Sequence, residues 1–360
     1  MRELIDKLNE CHQLEKGEWE RLLSGYSDDD TEYAAKLASG IRDKIYGKNV
    51  FIRGLIEISS YCKNDCLYCG IRKSNRSALR YRLTKEEILS CCSEGWRLGF
   101  RTFVLQGGED LWYSDSRMAD IVSSIRRFFA DCAITLSLGE RPKQSLKLLF
   151  DAGADRYLLR QESANSAHYS LLHPPEMQLE TRLRCLYDLK EIGYQVGCGF
   201  MVGSPFQTAS TIADDMVFIR QLEPQMVGIG PFLPHSQTPF KDKSAGSVKL
   251  CCFLLSLIRI MLPDVLLPAT TALSSADEDG RIKGILAGAN VVMPNLSPPS
   301  VRKKYKLYDN KKSFGAESAG GLDMLRKSFK QYGFNIPITR GDSPRNSIKG
   351  SDFKCTTLNH

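Results

Sequence analysis

After about residue 50, short apolar stretches rich in β-branched residues alternate with longer amphipathic stretches. The apolar stretches predict strands at 51–58, 101–106, 132–138, 155–160, 194–202, 225–231, 265–270 and 289–294. The amphipathic stretches predict helices at 84–98, 115–130, 143–152, 178–192, 208–222, 246–261 and 274–287. Eight strands that alternate with helices predict an α/β fold, a (β/α)8 TIM barrel, with a doubly wound open sheet as the alternative.

The two ends of the chain have different patterns. Residues 1–50 predict three helices at 1–11, 16–25 and 29–46, which we interpret as an N-terminal helical cap. Residues 51–310 carry the barrel pattern. The pattern fades after that, and residues 339–360 are polar with scattered glycine and proline. We therefore predict that 311–360 is a C-terminal extension that is partly disordered.

Three cysteines, Cys62, Cys66 and Cys69, stand at C-x3-C-x2-C spacing on the loop after the first predicted strand. Structural zinc usually takes four nitrogen or sulfur ligands, and only three are local here. A disulfide would leave one cysteine over, and free core cysteines fit poorly with the polar residues between them. A cubane iron–sulfur cluster with one open iron needs three thiolates. The spacing, and the aromatic Tyr68, favour the cluster; the other interpretations remain open.

Composition and charge set the broad class. The chain has 360 residues, 42% hydrophobic and 25% charged, which is typical of a globular protein. The net charge of +7 fits an anionic ligand or partner, and no motif indicates nucleic-acid binding. Twelve cysteines without a signal-peptide pattern indicate reduced thiols and a cytoplasmic location. No apolar run approaches the roughly 20 residues that span a bilayer, so no membrane association is expected.

Polar residues and glycines follow several strands, where a barrel places its chemistry. Gln106, Gly107, Gly108 and Glu109 follow the second strand, and the two glycines would let the backbone approach a ligand closely. Taken alone, this segment is better explained as an ordinary glycine turn.

Two charged residues, Arg160 and Glu162, share one face at the end of the fourth strand. Charges are seldom buried unless paired, so they predict either a structural ion pair or a site for a zwitterion. Arg182 begins the next predicted helix and is within reach of the same ligand. Met201, at the end of the fifth strand, is suited to packing on an apolar or sulfonium group. His235 lies alone in a loop, and we assign it no catalytic role.

Together these segments resemble the HydE family, the radical S-adenosylmethionine (SAM) maturases of [FeFe]-hydrogenase, in the subgroup of biotin synthase and methylornithine synthase. The resemblance covers roughly residues 40–310. It is carried by YCKNDCLYCGIRKSN, VLQGGED, TLSLGERP, GADRYLLRQESAN, FMVGSPFQT, MVGIGPFLPHSQTP, LPATTAL and GANVVMPNLSPPSVRKKYKLY.

The resemblance implies a barrel of the radical SAM type with one [4Fe–4S] cluster on Cys62, Cys66 and Cys69, which are then both metal ligands and the catalytic centre. SAM would bind the open iron and be cleaved reductively to a 5′-deoxyadenosyl radical. The implied SAM-binding residues are Tyr68, Gln106, Gly107, Gly108, Glu109, Arg160, Glu162, Arg182, Met201 and Tyr305.

The resemblance also implies a task. The substrate would be a small organometallic or thiol-containing molecule, an iron–carbonyl–cyanide–cysteine precursor of the H-cluster di-iron subcluster. The implied partners are the HydG and HydF maturases and an external electron donor. The alternatives are a methylornithine synthase-like or other small-molecule radical SAM enzyme, and a metal-binding scaffold without activity. Some family members carry a second cluster, but residues 310–330 contain no cysteine, so we predict one cluster only.

Overall fold

The computed structural model describes residues 1–344 of the chain. Eight parallel strand positions form a closed ring, because Phe51 in the first position pairs with Val291 in the last. The predicted (β/α)8 barrel is confirmed, and the doubly wound open sheet is wrong because that sheet would have two free edges. The strands are β1 (Phe51–Ile52 and Gly54–Ser59), β2 (Thr102–Gly107), β3 (Ala133–Ser137), β4 (Arg156–Leu158), β5 (Gln195–Cys198 and Met201–Val202), β6 (Met226–Val227 and Gly230–Pro231), β7 (265–268) and β8 (Val291–Val292).

The β7 position is the least regular part of the ring. It pairs with its neighbours only through the isolated bridges Met226 to Leu266 and Pro268 to Val291. Pro268 has no backbone N–H to donate, which limits the ladder at this point. The strand predicted over 265–270 is therefore present as a connection between β6 and β8 and not as a continuous strand.

Helices surround the ring on its outside. They are α1 (Arg2–Cys11), α2 (Lys16–Gly25), α3 (Asp28–Tyr46), α4 (Lys85–Arg97), α5 (Asp115–Phe128), α6 (Lys143–Asp151), α7 (Ser166–Leu172), α8 (Leu179–Ile192), α9 (Ala209–Leu222), α10 (Val248–Met261), α11 (Thr271–Ala276), α12 (Gly280–Leu286), α13 (Pro299–Arg302) and α14 (Leu322–Gln331). The single helix predicted over 274–287 is wrong, since α11 and α12 are separate. Three helices, α7, α13 and α14, were not predicted.

Local signals explain several helix ends. Thr84 caps α4, because its hydroxyl accepts from the Glu87 backbone N–H and the Glu87 carboxylate accepts from the Thr84 N–H. Gly193 ends α8 with a φ of 109°, a left-handed conformation that glycine adopts without strain. The helix is thereby stopped directly before β5.

The described residues form three apolar clusters, two of which contain most of the strand residues. Strand residues such as Ile56, Phe103 and Leu136 belong to the large core that also contains the surrounding helices. A second, smaller cluster contains Leu158 and Val291, together with residues of β6 and β7. Because side chains alternate along a strand, we assign the small cluster to the inside of the ring. It fills the lower interior and leaves the strand ends for polar groups.

Segments before and after the barrel strands pack on the barrel. Tyr46 at the end of α3 donates a hydrogen bond to the carbonyl of Asp264, just before β7. Arg156 at the start of β4 forms an ion pair with Asp342 at 2.6 Å. Residues 340–343 lie against the barrel, because the Arg340 carbonyl accepts from Thr102 and the Ser343 hydroxyl donates to the Asp264 carbonyl. The partly disordered extension predicted for 311–360 stays a prediction, and 345–360 lie outside the described residues. Within the described chain, no helix combines the length and the apolar character needed to cross a membrane.

Candidate active site

Two arginines fix the shape of the loop that carries the three cysteines. Arg72 donates to both carboxylate oxygens of Asp65, at 2.8 and 2.6 Å. Arg80 donates to the backbone carbonyls of Ile71 at 2.8 Å and Arg72 at 2.7 Å. A planar guanidinium with several donors suits this bridging role. Part of the basic run at 72–82 is therefore structural and holds the loop in place.

The three thiols lie close together in a partly enclosed position. Burial raises the pKa of Cys69 to about 12, and the neighbouring Cys62 thiol adds to that effect. Burial also raises the pKa of Cys66 well above its ordinary value, with a further contribution from Cys69. Iron ions would offset the repulsion between three such thiolates.

A cluster and a single metal ion need different arrangements of their ligands. Among residues 1–344, no three cysteine, histidine or carboxylate side chains are grouped tightly enough to hold one ion. A zinc site needs its ligands to converge on a point. A cubane does not, because each thiolate binds a different iron atom. Three thiols on one loop match the number of protein ligands of a cubane with one open iron.

A glycine lets the turn after β2 lie against the cysteine loop. The Gly108 backbone N–H donates to the Ser59 carbonyl at 3.1 Å. A Cβ atom at Gly108 would lie 2.2 Å from the Tyr61 carbonyl oxygen and 2.8 Å from the Cys62 Cβ. Gly107, the last residue of β2, pairs with Ser59 beside it. The structure thus brings the predicted glycine segment against the predicted cluster loop.

A buried charge network joins three of the strand ends. Arg182 lies in α8 and donates to Glu140 at 2.5 Å and to the Arg160 carbonyl at 3.0 Å. Its Nη2 lies 3.8 Å from Glu109, which also pairs with Lys63 at 3.1 Å. Burial opposes the Arg182 cation, but Tyr169, Glu140 and Glu109 outweigh it and raise its pKa. Arg182 therefore ties the rim together as a permanent cation.

Arg160 and Glu162 form a pair with unused bonding capacity. Arg160 Nη2 lies 3.2 Å from Glu162 Oε2, but neither atom makes an aligned hydrogen bond. Arg160 Nε is also buried without a hydrogen-bond partner. Burial raises the pKa of Glu162 against the opposing charge of Arg160. Buried polar atoms without partners are costly, so this pair fits a ligand that supplies a cation and an anion.

The backbone at Glu162 is strained and held from two sides. Its φ of 64° is a left-handed conformation that non-glycine residues seldom adopt. Asp215 Oδ1 accepts from Gln161 Nε2 at 3.0 Å and from the Ala164 N–H at 2.8 Å. Gln161 Oε1 accepts from the Gly199 N–H at 2.8 Å. Asp215 and Gln161 therefore fix the turn that presents Glu162.

Tyr68 of the cysteine loop belongs to a small apolar group and makes one polar contact. Met201 packs in a cluster with Leu172 and the ring of Tyr68. The His173 Nδ1–H donates to the Tyr169 carbonyl at 2.9 Å, so its Nε2 accepts from the Tyr68 hydroxyl at 3.2 Å. Burial lowers the pKa of His173 to about 3, which keeps the ring neutral. This arrangement holds Tyr68 beside the cysteines.

Gln106 and Tyr305, two of the predicted SAM-binding residues, are in contact. The side-chain amide of Gln106 in β2 lies 3.4 Å from the hydroxyl of Tyr305 and donates to it. Burial raises the pKa of Tyr305 well above its ordinary value. Lys311 lies 5.2 Å from the centre of the Tyr305 ring. Tyr305 is therefore a neutral side chain between a strand end and a cation.

The sequence interpretation missed a buried ion pair beside Tyr305. Lys311 pairs with Glu57 of β1, and Asn295 Nδ2 donates to the second oxygen of that carboxylate at 2.8 Å. Glu57 is fully buried. One signal was available, because a carboxylate stands between Ile56 and Ile58 in an apolar strand. Such a residue points to the opposite face from its neighbours.

The residues present fit the predicted cofactors. A cluster on three thiols leaves one iron open, and the unpartnered atoms of Arg160 and Glu162 match the carboxylate and ammonium of a zwitterion. Buried hydroxyls of Thr135 and Thr270 likewise lack partners. The Tyr68 and Met201 group offers apolar surface nearby.

Comparison with known proteins agrees with this arrangement. A sequence model of the radical SAM superfamily matches residues 56–219. The chain is 42% identical over 310 residues to the [FeFe] hydrogenase maturase subunit HydE of Thermotoga maritima, covering 86% of this chain and 88% of that protein. It is 31% identical to the 3-methylornithine synthase of Methanosarcina barkeri, and the match covers 85% of this chain and 86% of that protein. A crystal structure of methylornithine synthase superposes with a TM-score of 0.80 at 28% identity, and the superposition covers 93% of this chain and 97% of that protein.

The fold and the superfamily match define a radical SAM enzyme, whose cofactors are a [4Fe–4S] cluster and SAM. Within that class the chain belongs to the HydE family of [FeFe]-hydrogenase maturases.

Proposed function

We propose that this enzyme acts in assembly of the hydrogenase H-cluster, on a small iron–carbonyl–cyanide–cysteine precursor of the di-iron subcluster. The observation that carries the proposal is the 42% identity to the Thermotoga maritima HydE over most of both chains. The proposed partners are the HydG and HydF maturases and an external electron donor.

The polar side chains near the strand ends support this substrate class. Thr135 and Thr270 have buried hydroxyl groups without partners near the strand ends. An anionic metal complex with carbonyl and cyanide ligands offers several acceptors to such donors. Arg182 and Lys311 add positive charge, partly balanced by the carboxylates beside them. When bound, the cluster and SAM supply a 5′-deoxyadenosyl radical at this end of the barrel.

We propose that this chain's own residues divide the remaining work. Arg160 and Glu162 orient the zwitterionic part of SAM. Gln106 and Tyr305 border the space where the substrate binds. The smaller apolar cluster with Leu158 and Val291, inside the barrel, excludes water from the space where SAM and the substrate react. The predicted cysteines, Cys62, Cys66 and Cys69, hold the cluster.

A second candidate function is a methylornithine synthase-like reaction on an amino acid. The 31% identity to 3-methylornithine synthase and the TM-score of 0.80 favour it. Arg160 and Glu162 would bind SAM in that enzyme as well, so this pair does not distinguish the two candidates.

One experiment separates the two candidates. The anaerobically reconstituted enzyme is given SAM and dithionite with either a synthetic iron–carbonyl–cyanide–cysteine complex or lysine. If the enzyme is a maturase, we expect SAM to be consumed when the iron complex is added and not when lysine is added. The product formed from the iron complex should then support activation of an apo-hydrogenase in the presence of HydF. Formation of methylornithine from lysine would contradict it.

A further inference from the structure

A basic groove lies along the outer side of the cysteine loop. Residues 70, 71, 75 and 77–79 form one wall, and Lys303, Lys304 and Lys306 line the other, around a volume of about 210 Å³. The walls touch, since a Cβ atom at Gly70 would lie 2.2 Å from the Lys306 carbonyl oxygen. The residue before Gly70 is the third predicted cluster cysteine. The groove therefore reaches within one residue of the cluster site.

The charge in the basic groove is not neutralised. Residues 70–79 contain three basic residues and 302–306 contain four, with no acidic residue in either segment. Across residues 1–344, no side-chain ion pair or hydrogen bond engages five of these cations. They are Lys303, Lys304 and Lys306, which line the groove, and the exposed Lys73 and Arg76, which lie in the loop segment of the opposite wall but outside the lining. The acidic residue in the lining is Asp309, which lies 3.7 Å from His235. An exposed positive potential of this kind attracts an anionic partner.

The position of the groove indicates what that partner does. The turn at Gly108 and the ring of Tyr68 cover other sides of the cysteine loop. The barrel interior lies on the side where SAM is predicted to bind. Cys69, the residue before Gly70, therefore connects the groove to the cluster site along the chain. Leu79, 66% exposed at the groove edge, adds an apolar contact for a protein surface.

We propose that the basic groove docks an acidic protein carrier of single electrons. One electron passes from the carrier to the bound cluster, so the carrier is oxidised and the cluster reduced, and no atom is transferred. Complementary charge raises the association rate of such a pair and makes it sensitive to salt. This inference depends on the cluster and not on which substrate the enzyme takes.

The test uses Lys303→Glu with Lys306→Glu on one wall, and separately Lys73→Glu with Arg76→Glu in the loop segment that carries the other wall. The matched control is Lys36→Glu with Lys327→Glu, two exposed lysines on α3 and α14. Each enzyme carries its cluster. Reduced flavodoxin, an acidic flavoprotein, is the probe, and dithionite is the small reductant that needs no docking surface.

For each wall variant we expect flavodoxin-driven SAM cleavage to fall about tenfold at about 0.05 M salt, with dithionite-driven cleavage within about twofold of wild type. Calorimetric titration should show flavodoxin binding weakened by a similar factor, and the control should match wild type in both measurements. Unchanged flavodoxin binding in both wall variants would overturn the proposal. An equal loss with dithionite would also overturn it, because the groove would then support the cluster loop itself.

Discussion

Asp215 in α9 accepts a hydrogen bond from the side chain of Gln161 at 3.0 Å, and that contact fixes the turn at Glu162. Neither residue belongs to the predicted SAM contacts. Both act through the strained backbone at Glu162, whose φ is 64°. Asp215 and Gln161 are therefore positioning residues, and their effect should be measurable as SAM affinity.

Replacing Asp215 with alanine should weaken SAM binding while the cluster is retained. Asp215→Ala leaves Gln161 Nε2 and the Ala164 N–H without an acceptor. Loss of such bonds costs about 3 kcal/mol of folding stability, and we expect the SAM dissociation constant to rise about tenfold. The measurement is the SAM concentration that converts the EPR signal of the reduced cluster. Asp214→Ala is the control, because Asp214 bonds Lys16 and Asn165 instead; equal effects of the two variants would contradict the assignment.

The same carboxyl predicts a pH dependence of stability. Burial raises the pKa of Asp215 from 3.8 to about 7. Between these values the folded protein keeps the proton that the unfolded chain has lost, so the contribution of Asp215 to stability falls as pH rises. Asp215→Asn removes this slope. Its stability relative to wild type should therefore be about 4 kcal/mol greater at about pH 8 than at about pH 4. Urea unfolding of both proteins across this range measures the difference, and parallel curves would refute the raised pKa.

Removing the charge of Glu162 should affect SAM and not the cluster. Glu162→Gln keeps the shape of the side chain but loses the carboxylate that faces Arg160. We expect the KM for SAM to rise about tenfold, because a hydrogen bond to a charged group is worth more than a neutral one. The EPR signal of the reduced cluster without SAM should not change. Glu94→Gln, on the exposed face of α4, is the control; a normal KM in Glu162→Gln would exclude the proposed contact.

The close approach at Gly108 predicts that a methyl group is not tolerated there. Gly108→Ala would place a Cβ 2.2 Å from the Tyr61 carbonyl oxygen, so the two loops must separate. We expect a stability loss of about 2 kcal/mol and a lower iron content after reconstitution. Gly40→Ala in α3 meets no atom within 4 Å and should be neutral or stabilising. Full iron content in Gly108→Ala would show that the loops adjust.

The sequence predicted the barrel well because its signals are local. Apolar runs and helical periods are read over few residues, and Cys62, Cys66 and Cys69 lie on one loop. The pair of Glu57 and Lys311 was not predictable, since 254 positions separate the two residues and only the closed barrel brings them together. The helix α14 was missed although Leu322, Leu325 and Phe329 carry its buried face, because polar residues surround them.

The assignments of the SAM contacts and of the domain boundaries at residues 50 and 310 remain predictions. For the contacts, the predictions above supply direct tests. The boundaries are less sharp than the sequence pattern indicates, because Asn335 bonds the backbone at Val50 and Arg156 binds Asp342. Truncation after residue 310 should therefore lower the stability of the barrel.

The central claim is that the loop holding Cys66 binds a cluster whose open iron takes SAM. The most direct measurement combines EPR of the reduced, reconstituted enzyme with and without SAM and the yield of 5′-deoxyadenosine. We predict a cubane signal that SAM changes, together with 5′-deoxyadenosine, in wild type and in Cys92→Ala, whose thiol is buried in the core. Cys66→Ala should lose both. SAM cleavage retained in Cys66→Ala, or a wild-type cluster signal that SAM does not change, would contradict the account.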